Sequence, residues 1–94
     1  MVQAGVRRDL AQIRDWYNRK EAGLGERFLQ VAKAKINSLG ERPESYPFSE
    51  APYRYALLRK FPHVIHFEVL DDTVVVFAVL HPAQDLERWR LRRP

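Results

Sequence analysis

Two runs near the C-terminus constrain this chain more than anything else in it. Phe61 to Leu70 and Val74 to His81 are rich in β-branched and aromatic residues and flank Asp71-Asp72. Such side chains fit a pleated surface, and a short acidic break between two such runs marks a β-hairpin. Aspartates at that break bond local backbone groups, which explains the pair better than a catalytic dyad does. The second run is apolar on both faces, as a central strand requires. In the first, Ile65, Phe67 and Val69 share one face, while Val64, His66 and Glu68 share the other. Pro62 marks a strand start or a bulge, and Pro82 ends the second run.

Upstream, the period changes from two to between three and four. Leu10, Ile13, Trp16 and Tyr17 fall on one face of a helix over residues 8–22. Gly23 and Gly25 break it. Phe28, Leu29, Ala32, Ile36 and Leu39 form the stripe of a second helix over 25–39, with Gly40 at the position of a left-handed cap. The short link makes the two helices an antiparallel hairpin. Residues 41–52 carry Pro43, Pro47 and Pro52 without any period and read as a loop, anchored by Tyr46 and Phe48. Tyr53 to Lys60 alternates as a strand, with Tyr53, Tyr55 and Leu57 on one face and Arg54, Ala56 and Leu58 on the other. Asp85 to Arg92 forms a last short helix. The expected layout is α-α-β-β-β, an α+β domain with a helical hairpin on one face of a small antiparallel sheet. The opposite face then needs a cover or a ligand.

Ninety-four residues make a single domain over 1–94. No run approaches the ~18 apolar residues of a membrane span, and no secretory core opens the chain. With no cysteine, neither a disulfide nor a thiolate metal site is available. These features fit a cytoplasmic protein. Sixteen basic against 12 acidic residues give a net charge of +4, which favours an acidic partner. Arg88, Arg90, Arg92 and Arg93 gather at the end, either as a solvated tail or as a contact surface.

Chemistry-bearing residues are sparse. His63 and His66 lie three apart on a strand, so they point to opposite faces and do not ligate one metal. His81, at a strand end, is either an acid–base residue or a histidine bonded to neighbouring backbone. Arg54, Arg59 and Lys60 do not form one patch, because a five-residue separation puts the two arginines on opposite faces. There is no phosphate-binding glycine loop and no nucleophile elbow. Trp16, Tyr17 and Phe28 fit a helix core better than a stacking platform.

Taken in order, several of these features resemble one family. They are Asp9-Leu10, Ile13 and Trp16-Tyr17; Gly23-Leu24-Gly25 with Arg27-Phe28; Pro43; Tyr55 to Arg59 followed by Phe61-Pro62; Ile65-His66-Phe67; and Val76-Phe77-Ala78-Val79 with His81, Asp85 and Trp89. Together they resemble the ParE branch of the RelE/ParE superfamily, the toxins of type II toxin–antitoxin modules, known also as plasmid stabilisation proteins. The resemblance implies a cytoplasmic toxin without a cofactor, held inactive by an antitoxin whose C-terminal segment wraps around it. ParE-like members target DNA gyrase, and RelE-like members cleave mRNA on the ribosome. The antitoxin is expected in the apolar groove between the helical hairpin and the sheet, on Trp16, Tyr17, Leu24 and Phe28, because exposed aromatics commonly anchor interfaces. Target contact is expected from Trp89, Arg90, Arg92 and Arg93.

Carried over residue by residue, the RNA-cleaving chemistry finds little here. The arginine expected after His63 is Val64, the second basic position is Gln84, and the terminal aromatic acid–base position is Trp89 or Arg90. Losing one donor to a developing oxyanion costs about 3 kcal/mol or more. A nuclease would have to rely on His81, Arg59 and Lys60. Family members normally begin with a strand, whereas only Met1 to Val6 precede Arg7. The N-terminal edge strand is therefore expected to be missing or very short, leaving a sheet edge completed by a second copy or a partner strand; a late start, or a non-toxic remnant that only binds an antitoxin, is the alternative.

Overall fold

The computed structural model describes residues 1–83 and 85–94. Helices α1 (Ala4–Lys20) and α2 (Leu24–Ser38) are followed by a 3-10 turn (Pro43–Ser45). Strands β1 (Phe48–Glu50), β2 (Tyr53–Leu57), β3 (Val64–Leu70) and β4 (Thr73–Leu80) come next, and then helix α3 (Asp85–Arg92). The strands form one antiparallel sheet in the order β1-β2-β3-β4. The α+β layout expected from the periodicities is the one observed.

The helical hairpin closes on the sheet through Val6, Leu10, Phe28, Ala32 and Leu39, which meet Ala56, Leu58, Ile65, Phe67, Val76 and Val79. On α1 the buried stripe runs Val6, Leu10, Ile13, Tyr17, so the helix starts earlier than expected and Trp16 falls off the stripe. Alternation in β4 changes phase in its middle. The ladder pairs His66 with Ala78 and Phe67 with Val76, leaving Phe77 as a bulge. Val76 and Val79 therefore both face the hairpin, while Phe77, Ala78 and Leu80 face the other side. There Trp89 of α3 completes a second small cluster, with Tyr53 against it. The cover that the second sheet face needs is thus α3.

Several boundaries differ from the sequence reading. The stretch 41–52 contains β1 as well as the 3-10 turn. Its three strand residues carry no readable period and lie between prolines. Tyr46 anchors the segment edge-on to Phe67, but Phe48 is half exposed beneath the Arg54 guanidinium. β2 stops at Leu57 and β3 starts at Val64, because the chain turns between them with Lys60 at a positive φ of 69°. Asp71 also adopts a positive φ, 55°, in the β3–β4 turn, a conformation that aspartate tolerates better than most residues.

The glycines divide by role. Gly23, at φ 87°, makes the left-handed link between the helices, whereas Gly40 is not among the positive-φ glycines expected of a cap. Gly25 is not a breaker. It lies in the first turn of α2 at a close helix approach, where a Cβ would stand 2.2 Å from the Arg14 carbonyl oxygen. Its amide donates to Asn18 Oδ1 (2.7 Å), so an α1 side chain satisfies an otherwise unpaired N–H at the start of α2. Gly25→Ala should push the helices apart at a cost of about 1–3 kcal/mol. Thermal unfolding checks this, and an unchanged midpoint would contradict the close contact.

The N-terminal strand is very short, as expected, but the edge it serves is not bare. Val2 forms a parallel bridge with Val76, and the first three residues bond along β4.

Candidate functional site: a cleft between the first helix and the end of the fourth strand

One concave site stands out, a cleft of about 610 Å³ beside α1. Ile13, Trp16 and Tyr17 form its helical wall, and Pro62, His63 and His81 close it from the strand ends. The α1 register decides which aromatic serves which purpose. Tyr17 turns inward, its ring 5.7 Å from Phe28 and 5.1 Å from Phe61. Trp16, one residue earlier, stands edge-on to Tyr17 and is 47 % exposed. Lys20 Nζ lies 4.9 Å from the Trp16 ring centroid, and Arg19 lines the same mouth. The rim is therefore an exposed indole with cations beside it, over an apolar wall.

The histidines differ sharply in setting. His63 is buried, with its ring edge-on to His81 at 5.3 Å and against Tyr17 and Phe28. Burial, and then the nearby His81 charge, lower its pKa to about 4. Its Nδ1 has no hydrogen-bond partner among the described residues. His66 lies on the opposite sheet face, against Phe77 and Trp89. Burial again lowers its pKa to about 4, helped by Arg92 and opposed by Asp9. Burial also raises the Tyr17 phenol. His81 Nδ1 accepts the Ala83 amide at 3.0 Å, which leaves Nε2 to carry the proton of the neutral ring. His81 is thus bonded to neighbouring backbone while lining the cleft.

The expected contact residues separate into distinct environments. Trp16 and Tyr17 reach the cleft. Leu24 is half-buried and does not line it. Phe28 is wholly buried behind Tyr17, and its place is the core rather than a surface. Trp89 is 2 % exposed and packs on Tyr53 and His66. Arg92 bonds Asp9 through both terminal nitrogens, and Arg90 and Arg93 pair with Glu50 at 3.7 and 3.1 Å. Arg90, Arg92 and Arg93 are therefore neither a loose tail nor a single outward patch, because they hold α3 across the sheet, and Arg88 lines the cleft. Their partners Asp9 and Glu50 are remote in sequence, so no local pattern signals these pairs.

The catalytic alternatives do not converge. Arg59 and Lys60 are exposed in the β2–β3 connection and do not line the cleft that holds His81. Arg54 is tied to the Tyr46 and Glu44 carbonyls. Val64 begins β3 beside a smaller cavity of about 140 Å³ under Trp89. Gln84 lies outside the described residues. Among those described, no cluster of three or more His, Asp or Glu could hold a metal, and no helix is long and apolar enough to cross a membrane.

A helical hairpin on an antiparallel sheet, with an aromatic cleft between α1 and the end of β4, defines a small α+β protein. The family model for the ParE toxin of type II toxin–antitoxin systems (parDE) matches residues 2–86, nearly the whole chain. The chain belongs to that family. Among curated proteins, none matches it significantly.

Proposed function

We propose that this chain is a toxin that acts by binding and is neutralised by a cognate antitoxin. The observation that carries the reading is the exposed Trp16 at the mouth of the cleft, next to inward-turned Tyr17. Exposed aromatics beside an apolar recess are the usual anchors of protein interfaces. The antitoxin segment lies along this cleft with an apolar side chain against Trp16 and Tyr17, and its acidic residues meet Arg19 and Lys20. The net charge of +4 supports an acidic partner. By family resemblance the target is DNA gyrase and the protein works in the cytoplasm. Of the C-terminal residues, Arg90 and Arg93 remain the candidates for target contact, since their pairing with Glu50 is at the surface and cheap to exchange.

The test is growth on expression of the chain with and without the gene beside its own. Arrest that the neighbouring gene relieves supports the reading, and normal growth in both cases contradicts it. Trp16→Ala should weaken the antitoxin complex by about 2 kcal/mol or more, roughly thirtyfold in Kd, while folding stability falls by only about 1 kcal/mol, for the lost Tyr17 and Lys20 contacts. Titration of the purified pair reads the first number, and a Kd unchanged by the substitution would remove Trp16 from the interface. Ribosome-dependent mRNA cleavage is the alternative reading, and it is supported only by His81 in the cleft. New 5′ ends in primer extension on translating ribosomes would favour it.

A further inference from the structure

β4 is the strand this molecule can least leave open. Its sequence, Thr-Val-Val-Val-Phe-Ala-Val-Leu, is uncharged, β-branched and free of proline. That is the composition that drives pairing between copies when an edge is exposed. β4 lies at the end of the sheet, so its outward backbone groups need other partners. In its first half the N-terminal residues supply them. The Met1 ammonium donates to the Val74 carbonyl (2.7 Å), the Val76 amide to the Met1 carbonyl (2.9 Å), and the Gln3 amide to the Val76 carbonyl (3.0 Å).

Past the Phe77 bulge the partners are side chains. Asp9 Oδ2 accepts the Val79 amide at 3.0 Å, and Arg92 Nη2 donates to the Phe77 carbonyl at 2.9 Å. The two side chains are joined by two bonds of 2.9 Å each. Gly5 leaves room for them, since a Cβ there would stand 2.7 Å from Arg92 Nη2. The carboxylate takes the part of a strand carbonyl and the guanidinium that of a strand amide.

We propose that Asp9 and Arg92 are a strand surrogate that holds the Phe77–Val79 edge of β4 closed against an added strand from a second copy of this chain. A second copy is the occupant excluded because an apolar strand of this composition is complementary to itself, and a two-fold contact needs only that one patch. The polarity of the pair is the essential point. A surrogate must offer an acceptor to Val79 and a donor to Phe77. An exchange of the two residues preserves their mutual attraction but turns donor toward donor and acceptor toward acceptor.

Three full-length proteins test this: wild type, Asp9→Ala with Arg92→Ala, and the exchange Asp9→Arg with Arg92→Asp. Light scattering over a concentration series and amide exchange at Val79 are the readouts. The double-alanine chain should form a species of twice the wild-type mass as concentration rises. At low concentration its Val79 amide should exchange about tenfold faster or more, the equivalent of one lost hydrogen bond. The exchanged pair should behave like the double-alanine chain. Restoration of wild-type mass and protection by the exchange would overturn the proposal, as the pair would then be an ordinary ion pair. Wild-type mass throughout for a folded double-alanine chain would overturn it too. If that chain does not fold, Arg92→Met decides. It removes the donor to Phe77 and leaves Asp9 on Val79, so association above wild type supports the surrogate and unchanged mass overturns it.

Discussion

Phe28→Ala should cost about 3–5 kcal/mol, the range for truncating a buried phenylalanine. The ring is wholly buried and sits at the centre of an aromatic group, 5.7 Å from Tyr17, 5.4 Å from Phe61 and 5.2 Å from His63. Those neighbours come from α1 and the β2–β3 connection, so no single element can relax to fill the hole. In a domain of this size each kcal/mol moves the thermal midpoint by roughly 4–8 °C, so the midpoint should fall on the order of 15 °C or more. Trp16→Ala, twelve positions earlier in sequence, should lower the midpoint far less, since about half of that ring is already exposed. Thermal unfolding of both variants measures the contrast. Similar midpoints would mean that Phe28 is not the core residue described.

Acid should destabilise the fold before its carboxylates titrate. His63 and His66 each fall from an ordinary 6.5 to about 4 on folding. The folded state therefore keeps both rings neutral, while the unfolded chain takes up protons as soon as pH drops below 6.5. The stability contributed by the neutral rings is fully present above that pH and is lost as pH falls toward 4. For buried His63 the loss is on the order of 3 kcal/mol, and half-buried His66 adds less. Urea unfolding at pH 7.5 and at pH 4.5 reads the difference. His63→Phe, which keeps a ring against Tyr17 and Phe28, should flatten the slope. A wild-type protein equally stable at both values would contradict the buried, neutral histidine.

The helices and β3 were legible because each element's own period carries the information, and β4 because an unbroken β-branched run next to an acidic turn reads as a buried strand. Leu10 and Ile13, or Phe28 and Ala32, declare a face whatever lies opposite. What stayed hidden depends on distant chain. Whether Gly25 stops a helix or admits one is settled by the Arg14 carbonyl. Whether Arg92 is a solvated tail or an edge cover is settled by Asp9, 83 residues away. β1, with three residues between prolines, has no period of its own and forms because β2 offers it an edge. The candidate site was half legible. The pair Trp16-Tyr17 was visible as aromatic, but only packing decides that one ring serves the core and the other the surface.

Action by binding, with neutralisation through Trp16, is tested most directly by growth of cells expressing the wild-type chain or Trp16→Ala, each with and without the neighbouring gene. Wild-type expression should arrest growth, and the neighbouring gene should rescue it. The Trp16→Ala chain should arrest growth too, with rescue lost or much weakened. Unimpaired growth with the wild-type chain alone, or full rescue of the Trp16→Ala chain, would contradict that reading.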